Sequence, residues 1–179
     1  MTEASEKPHD DSPFWRFSLR FYARSSVASA CLVLQDEAGV DVNLLLFLLF
    51  LAEHGRRVSE DQIAQIDEGV RAWRDQVVKP LRQLRRTLKP GIGEIPVTVS
   101  EGFRGQIKRL ELESEHVEQT VLEAFHAADI GVPEQSRSDA AEANLAAYEA
   151  RLGPFPAVAR ARVLSAFAEF GTHHPRAED

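Results

Sequence analysis

From Leu44 to Ala52 the chain reads Leu-Leu-Leu-Phe-Leu-Leu-Phe-Leu-Ala, nine residues without one polar side chain. As an α-helix this run is about 14 Å long at ~1.5 Å per residue. It is apolar on every face, so the rest of the chain has to wrap it. A bilayer span needs roughly 20 apolar residues. Here Asp36, Glu37, Asp41 and Asn43 precede the run, and Glu53, His54, Arg56 and Arg57 follow it. The expectation is a buried central helix and no membrane span. Leucine without β-branched residues argues against a buried strand. Asp41 is placed to cap the first free backbone N–H groups, and Gly55 to end the helix in a left-handed conformation.

A chain of 179 residues is long enough to build one core without disulfides or metal. Cys31 is the sole cysteine, which excludes an internal disulfide and a zinc site built from thiolates. The reading is a single helical domain over residues 12–170, between a disordered N-terminal tail, 1–11, and a C-terminal tail, 171–179. The first eleven residues are acidic and polar, without a leader pattern, and imply a cytoplasmic setting. The net charge of −7 is unevenly spread: residues 12–109 carry +4, residues 110–179 carry −8 and residues 1–11 carry −3. Either the basic part meets an external anion or the two parts lie against each other and neutralise.

Taken in order, Ser12-Pro13 opens a helix with Trp15, Leu19 and Tyr22 on one face and Phe14, Phe17 and Phe21 beside it. Arg16, Arg20 and Arg24 follow at spacings of four and suit a solvated stripe. A second helix, Val27 to Glu37, starts slender at Ala28, Ser29, Ala30 and Cys31 and closes at Gly39. Ser59 and Gln62 form a capping box. Beyond it Ile63, Ile66, Val70, Trp73, Val77, Leu81, Leu84 and Leu88 make one long seam, which Pro80 should kink or break. Pro90 to Val99 reads as a loop, and Ser100 as the start of the next helix. There Phe103, Ile107, Leu110, Val117, Val121 and Ala124 form the predicted inner seam, on which Ser114 falls and which Leu122 and Phe125 widen, leaving Glu111, Glu115 and Glu118 on an acidic outer face. Ser138 is placed to cap an alanine-rich helix to Arg151. A last helix carries Val158, Val163, Leu164, Phe167 and Phe170.

Several of these stretches occur in combination. Phe14-Trp15-Arg16-Phe17-Ser18-Leu19, Ala30-Cys31-Leu32 with Leu34-Gln35-Asp36, and Asp41-Val42-Asn43-Leu44-Leu45-Leu46-Phe47 resemble a family of small bacterial proteins of unknown function. Trp73-Arg74, Val77-Val78, Pro80-Leu81-Arg82, Leu84-Arg85-Arg86 and Glu111-Leu112-Glu113-Ser114-Glu115 are similar to the same family. The resemblance spans about residues 13–125. It implies a mostly helical, cytoplasmic protein and transfers no activity, cofactor or catalytic residue.

Three constellations can carry chemistry. Arg71, Arg74, Arg82, Arg85 and Lys89 fall within roughly 80° of one another on an ideal helix. Such a row suits phosphates, because each guanidinium can donate two parallel hydrogen bonds. It equally suits internal pairing with the glutamates of the later helix. Asp36, Asp41 and Asn43 bring three oxygen-bearing side chains to one turn, the chemistry of a hard-cation site, although capping and turn geometry account for them too. Glu113-x-x-His116 and Glu123-x-x-His126 have the di-iron spacing, but both lie on one helix. No nucleophile set, Gly-rich phosphate loop or zinc-hydrolase motif occurs, and Cys31 reads as core.

The sequence therefore points to an all-α, compact bundle of six or seven helices around Leu44–Ala52. The expected role is a non-enzymatic interaction module without a cofactor. It docks a protein partner or a second copy of itself through the long helix from Glu60 to Lys89. The alternatives are an RNA- or phosphate-binding protein using the arginine row, and an enzyme or carrier with an apolar ligand cavity.

Overall fold

The computed structural model describes residues 12–134 and 136–170; the two tails expected from the sequence lie outside them. The apolar run forms α3, Val42–Glu53. The Asp41 carboxylate accepts from the N–H groups of Asn43 and Leu44 at 2.8 and 3.2 Å. Every side chain from Asn43 to Ala52 is buried. Each buried Leu or Phe there contributes on the order of 1.5–3 kcal/mol relative to exposure.

The wrapping comes from both ends of the chain. In α1, Pro13–Tyr22, the Ser12 hydroxyl accepts from the Trp15 N–H at 3.0 Å. Phe14 of this helix packs on Phe47 and Phe50 with ring centroids 5.2 and 5.3 Å apart. Helix α2, Ser25–Ala38, ends at Gly39, whose φ of 66° is the left-handed cap expected. Helix α8, Ala157–Phe170, makes its most extensive contact with α2. Small buried residues on both, including Ala30, Cys31, Ala159 and Ala166, permit that close approach. Two residues of the arginine stripe also reach α8: Arg24, at the cap position of α2, pairs with Glu169 at 3.0 Å, and Arg20 of α1 lies 5.2 Å from the centre of the Phe170 ring.

Helix α7, Arg137–Leu152, covers α3 from another side. It begins with Ser136 as cap rather than Ser138, the Ser136 hydroxyl accepting from the Asp139 N–H at 3.3 Å. Buried Asn144 pins it in place, donating to the carbonyls of Leu48 and Arg56 and accepting from the Val58 N–H. The strands β1, Arg56–Arg57, and β2, Val132–Pro133, pair antiparallel beside it. Gly131 (φ 88°) is required there, because a Cβ would stand 2.8 Å from the Arg57 carbonyl oxygen.

The capping box at Ser59 and Gln62 opens α4, Glu60–Trp73, and α5 runs from Lys79 to Thr87. Between them Pro80 neither breaks nor sharply ends the helix. A π-helical turn, Arg74–Val78, absorbs it, with the Lys79 N–H donating to the Arg74 carbonyl five residues back. Proline lacks the N–H for the ordinary bond and its ring crowds the carbonyl four residues earlier. The extra residue rotates the seam: Val78 is buried rather than Val77 and Leu84 stays 40 % exposed, while ahead of the turn Trp73 is 39 % exposed and Arg74 is turned inward.

Helix α6, Val97–Ala127, corrects the sequence reading twice. It starts at Val97, not Ser100, because Pro96 at the cap position fixes the entry and the Val99 and Ser100 N–H groups bond back to its carbonyl. Its inner face is also turned, by roughly 80° at 100° per residue, so that Ile107, Ser114 and Leu122 of the expected seam stay inside and the rest of it does not. Glu111, Ser114, Glu118 and Gln119 are buried with Ile107 and Leu122, whereas Phe103, Leu110, Val117 and Val121 are exposed. With α4, the π turn and α5 counted as one continuous helix, the described residues form seven helices and only the two-stranded β1–β2 sheet. None of these helices is long and apolar enough to cross a membrane.

Candidate functional site

The turn of α6 follows from where α5 lies. The two helices pack together, and Arg82 Nε donates to Glu111 at 3.0 Å while its two terminal nitrogens reach Gln35 and Glu115. Arg85 forks onto the same Glu111 carboxylate. Burial opposes the Glu111 charge, but Arg85 and Arg82 outweigh it and hold the group below the usual carboxylate range. For Glu115 burial wins, and its pKa is raised despite Arg82. The arginine row is thus divided among different surroundings. Arg71 is exposed and pairs with Asp67 and Glu68, Arg74 is largely buried, and Lys89 stands exposed beyond the end of α5.

Arg74 donates through Nη1 to Asp41 at 2.8 Å and to Asp67 at 2.7 Å. Asp41 therefore both caps α3 and anchors the π turn to it. Burial would lower the Arg74 pKa, but the two aspartates more than offset it. Glu118 lies within the same cluster, 1 % exposed, and receives the Asn43 amide at 2.9 Å. Burial first, then the negative charge of Asp41, raise the Glu118 pKa far above the usual range. The shift favours the neutral acid over the carboxylate in this cluster. The Tyr148 hydroxyl accepts from the Asp41 backbone N–H at 3.0 Å and closes the cluster. Burial keeps that phenol protonated, and burial likewise pushes the Cys31 thiol up to about 12.

The three oxygen-bearing residues of the Asp36–Asn43 turn are each engaged elsewhere. Asp36 pairs with Arg86 at 3.0 Å, Asp41 with Arg74, and Asn43 with Glu118 and Gln119. No group of three or more His, Cys, Asp or Glu side chains placed to hold a metal ion occurs among the described residues. The Glu-x-x-His pairs are likewise dispersed. His116 stacks on Trp15 with centroids 4.0 Å apart, and Glu123 accepts from the Ser12 hydroxyl and the Phe14 N–H. His126 lies edge-on to Phe50 and beside His54.

Two features were not assigned to particular residues from sequence. The first is a groove of about 690 Å³ between α1, α2, α3, α5 and α6. Trp15, Leu19, Leu32, Leu46 and Leu112 give it an apolar wall, with Ser18 and Gln119 among its buried lining and Lys108 and Arg109 on its exposed side. The second is the exposed ridge of α6. Phe103, Leu110, Val117 and Val121 run along it, 54, 48, 43 and 41 % exposed. The Trp73 indole N–H donates to the Ser114 carbonyl at 2.9 Å, which seats that ring against α6. On α5, Leu84 lies on the opposite flank from Arg82, about 200° away at 100° per residue. The heptad spacing of Phe103, Leu110 and Val117 was the available signal for the ridge. It reports a stripe without saying which way the stripe faces.

No curated protein and no solved structure matches the chain. The family model described as "Protein of unknown function (DUF2390)" matches residues 13–122. That span runs from the first residue of α1 to Leu122 in α6 and includes the central helix, the arginine row and its glutamate partners; the chain belongs to the DUF2390 family.

Proposed function

We propose that the protein is a non-enzymatic interaction module whose docking surface is the apolar face made by α6 with the flanks of α4 and α5, and whose partner there is a second copy of itself. The observation that supports this reading is the turn of α6: four large apolar residues stand on its outer side while Glu111 and Glu118 are buried. A contiguous exposed apolar patch of this kind marks an interaction site more often than a solvated surface. A self-docking surface has to be complementary to itself. Antiparallel pairing of two α6 helices about the helix midpoint brings Arg109 of one copy towards Glu113 of the other, at the rim of a buried apolar strip.

An anion docking on the arginine row has to compete with Glu111 and Glu115 for Arg82 and Arg85. An apolar partner on the ridge displaces only water. The two readings separate cleanly in solution. Sedimentation velocity of the full chain over a wide concentration range is expected to show a monomer–dimer equilibrium that persists at high salt. Leu110→Glu with Val117→Glu is expected to abolish it without lowering the melting temperature. A protein that stays monomeric at the highest concentration overturns self-docking. Binding to RNA that weakens steeply with salt and with Arg82→Glu plus Arg85→Glu supports the arginine reading instead.

A further inference from the structure

The groove between α1 and α6 carries features that the docking face does not use. Its size falls in the range of small-molecule sites, roughly 300–1,000 Å³, and its wall is mainly apolar with a few polar groups, the usual make-up of such a site. Two of those polar groups stand out. Ser18 Oγ and Gln119 Oε1 have no hydrogen-bond partner, and both residues are only 3 % exposed. A buried polar atom left unpaired costs about 1–3 kcal/mol, so such atoms mark a place where a bound molecule completes the site. Gln119 is held in its orientation, since its amide nitrogen donates to Asn43 at 2.9 Å.

Charge is distributed in the opposite sense along the groove. Arg82, Arg85, Arg86, Lys108 and Arg109 line it against Glu111 and Glu115. The two glutamates are already matched by Arg82 and Arg85, and Arg86 by Asp36. Lys108 and Arg109 have no ion pair among the described residues. Along α6, Lys108 and Gln119 are separated by about 16 Å at ~1.5 Å per residue. The groove therefore offers cations at one end, leucines and Trp15 along its length, and an unsatisfied hydroxyl and amide oxygen at the other.

We propose that this groove binds a small anionic amphiphile: an elongated apolar body with a carboxylate or phosphate at the Lys108–Arg109 end and a hydroxyl at the Ser18–Gln119 end. The ligand hydroxyl donates to Gln119 Oε1 and accepts from the Ser18 hydroxyl. The anionic head stays near the solvent, where Lys108 meets it without full desolvation. Trp15, held by its stack on His116, and the Leu46 side chain supply the apolar contact between the two ends.

The test uses the full chain with Trp73→Phe, so that the remaining Trp15 reports from the groove wall. Fluorescence titrations compare ω-hydroxydodecanoate, dodecanoate, dodecanol and dodecyl phosphate, all below their aggregation concentrations. Saturable binding with one ω-hydroxydodecanoate per chain is expected, about tenfold tighter than dodecanoate, the difference one well-made hydrogen-bond set makes. Ser18→Ala with Gln119→Met is expected to erase that tenfold preference while leaving dodecanoate unchanged. Lys108→Glu is expected to weaken both carboxylates and the phosphate and to spare dodecanol. Leu32→Trp, at a half-exposed position that tolerates bulk, is expected to block every probe. Dodecyl phosphate binding tighter than dodecanoate assigns the head as phosphate, and the reverse assigns it as carboxylate. Absence of saturable binding, or equal affinity for all four probes that the Ser18, Gln119 and Lys108 substitutions leave unchanged, overturns the proposal. The Leu110→Glu, Val117→Glu protein serves as control. It is expected to bind the probes normally, so failure of the docking reading and failure of this one are distinguishable.

Discussion

Helices α3 and α6 stand in contrast. In α3 every face is apolar, and every residue from Asn43 to Ala52 is buried; no choice of orientation existed. In α6 a stripe of large apolar residues faces outward, and a mixed face carrying Glu111 and Glu118 beside Ile107 and Leu122 is turned inward. What distinguishes them is the neighbour. Against α3 lie phenylalanines and alanines, while against α6 lie Arg82 and Arg85, whose guanidinium groups make buried carboxylates tolerable. Hydrophobic pattern fixes the orientation of a helix only when its neighbours are themselves apolar.

The largest effect that sharpens this contrast is expected in α3. Phe47→Ala removes a fully buried ring that touches Phe14 and should cost about 3–5 kcal/mol in urea unfolding. A cost under about 1 kcal/mol would show that the centre of the bundle relaxes around the cavity. Next is the charge layer between α5 and α6. Arg82→Ala leaves Glu111, Glu115 and Gln35 without their shared donor and is expected to cost about 2–3 kcal/mol at neutral pH. Glu115, whose pKa is already raised, should take up a proton first and give back part of that loss as the pH falls. A variant as stable as the wild type would mean that the layer is held by packing alone.

Glu118 gives the third. Its folded pKa lies above its unfolded one, so the folded state binds one more proton between the two values. Stability contributed by this group is complete below the unfolded carboxylate range and falls as pH rises towards the folded pKa, by up to about 1.4 kcal/mol per pH unit. Glu118→Gln keeps the shape and the donor and removes the titration. Relative to wild type it should be close to neutral near the ordinary carboxylate value of 4.5 and progressively stabilising from there up to the folded pKa of about 9. A wild-type-minus-variant difference that does not change with pH would place Glu118 in the fold as an ionised group. The smallest effect belongs to the ridge. Leu110→Ala is expected to change monomer stability by no more than about 0.5 kcal/mol, as for an exposed position, while weakening self-association. A loss comparable with Phe47→Ala would return Leu110 to the core.

Much of the fold is legible one segment at a time. Asp41, Ser12 and the Ser59–Gln62 box announce helix starts because a cap is a local hydrogen bond, made within three residues. Gly39 and the apolar run are equally local, and so are the stretches that carry the family resemblance. The site is less legible. Arg74, Arg82 and Arg85 are identifiable as a cationic row, but apart from Asp67 the carboxylates they hydrogen-bond lie 26 to 33 residues away, on elements whose placement no short-range pattern encodes. The π turn at Pro80 changes the register of everything after it by one residue. That moved Leu84 from the expected seam to the surface, because a helical wheel assumes an unbroken 3.6-residue period.

Sequence by itself determined that this chain has a buried central helix, an all-helical wrapping, most of its caps and its family. Tertiary structure alone decided which face of α6 is the inside, where the groove opens and which cations are left to meet a ligand. The physical reason is one of range. Burial of a uniformly apolar helix and capping of its ends are settled by neighbours in sequence, whereas the sign of a mixed face depends on the charges that folding brings opposite it.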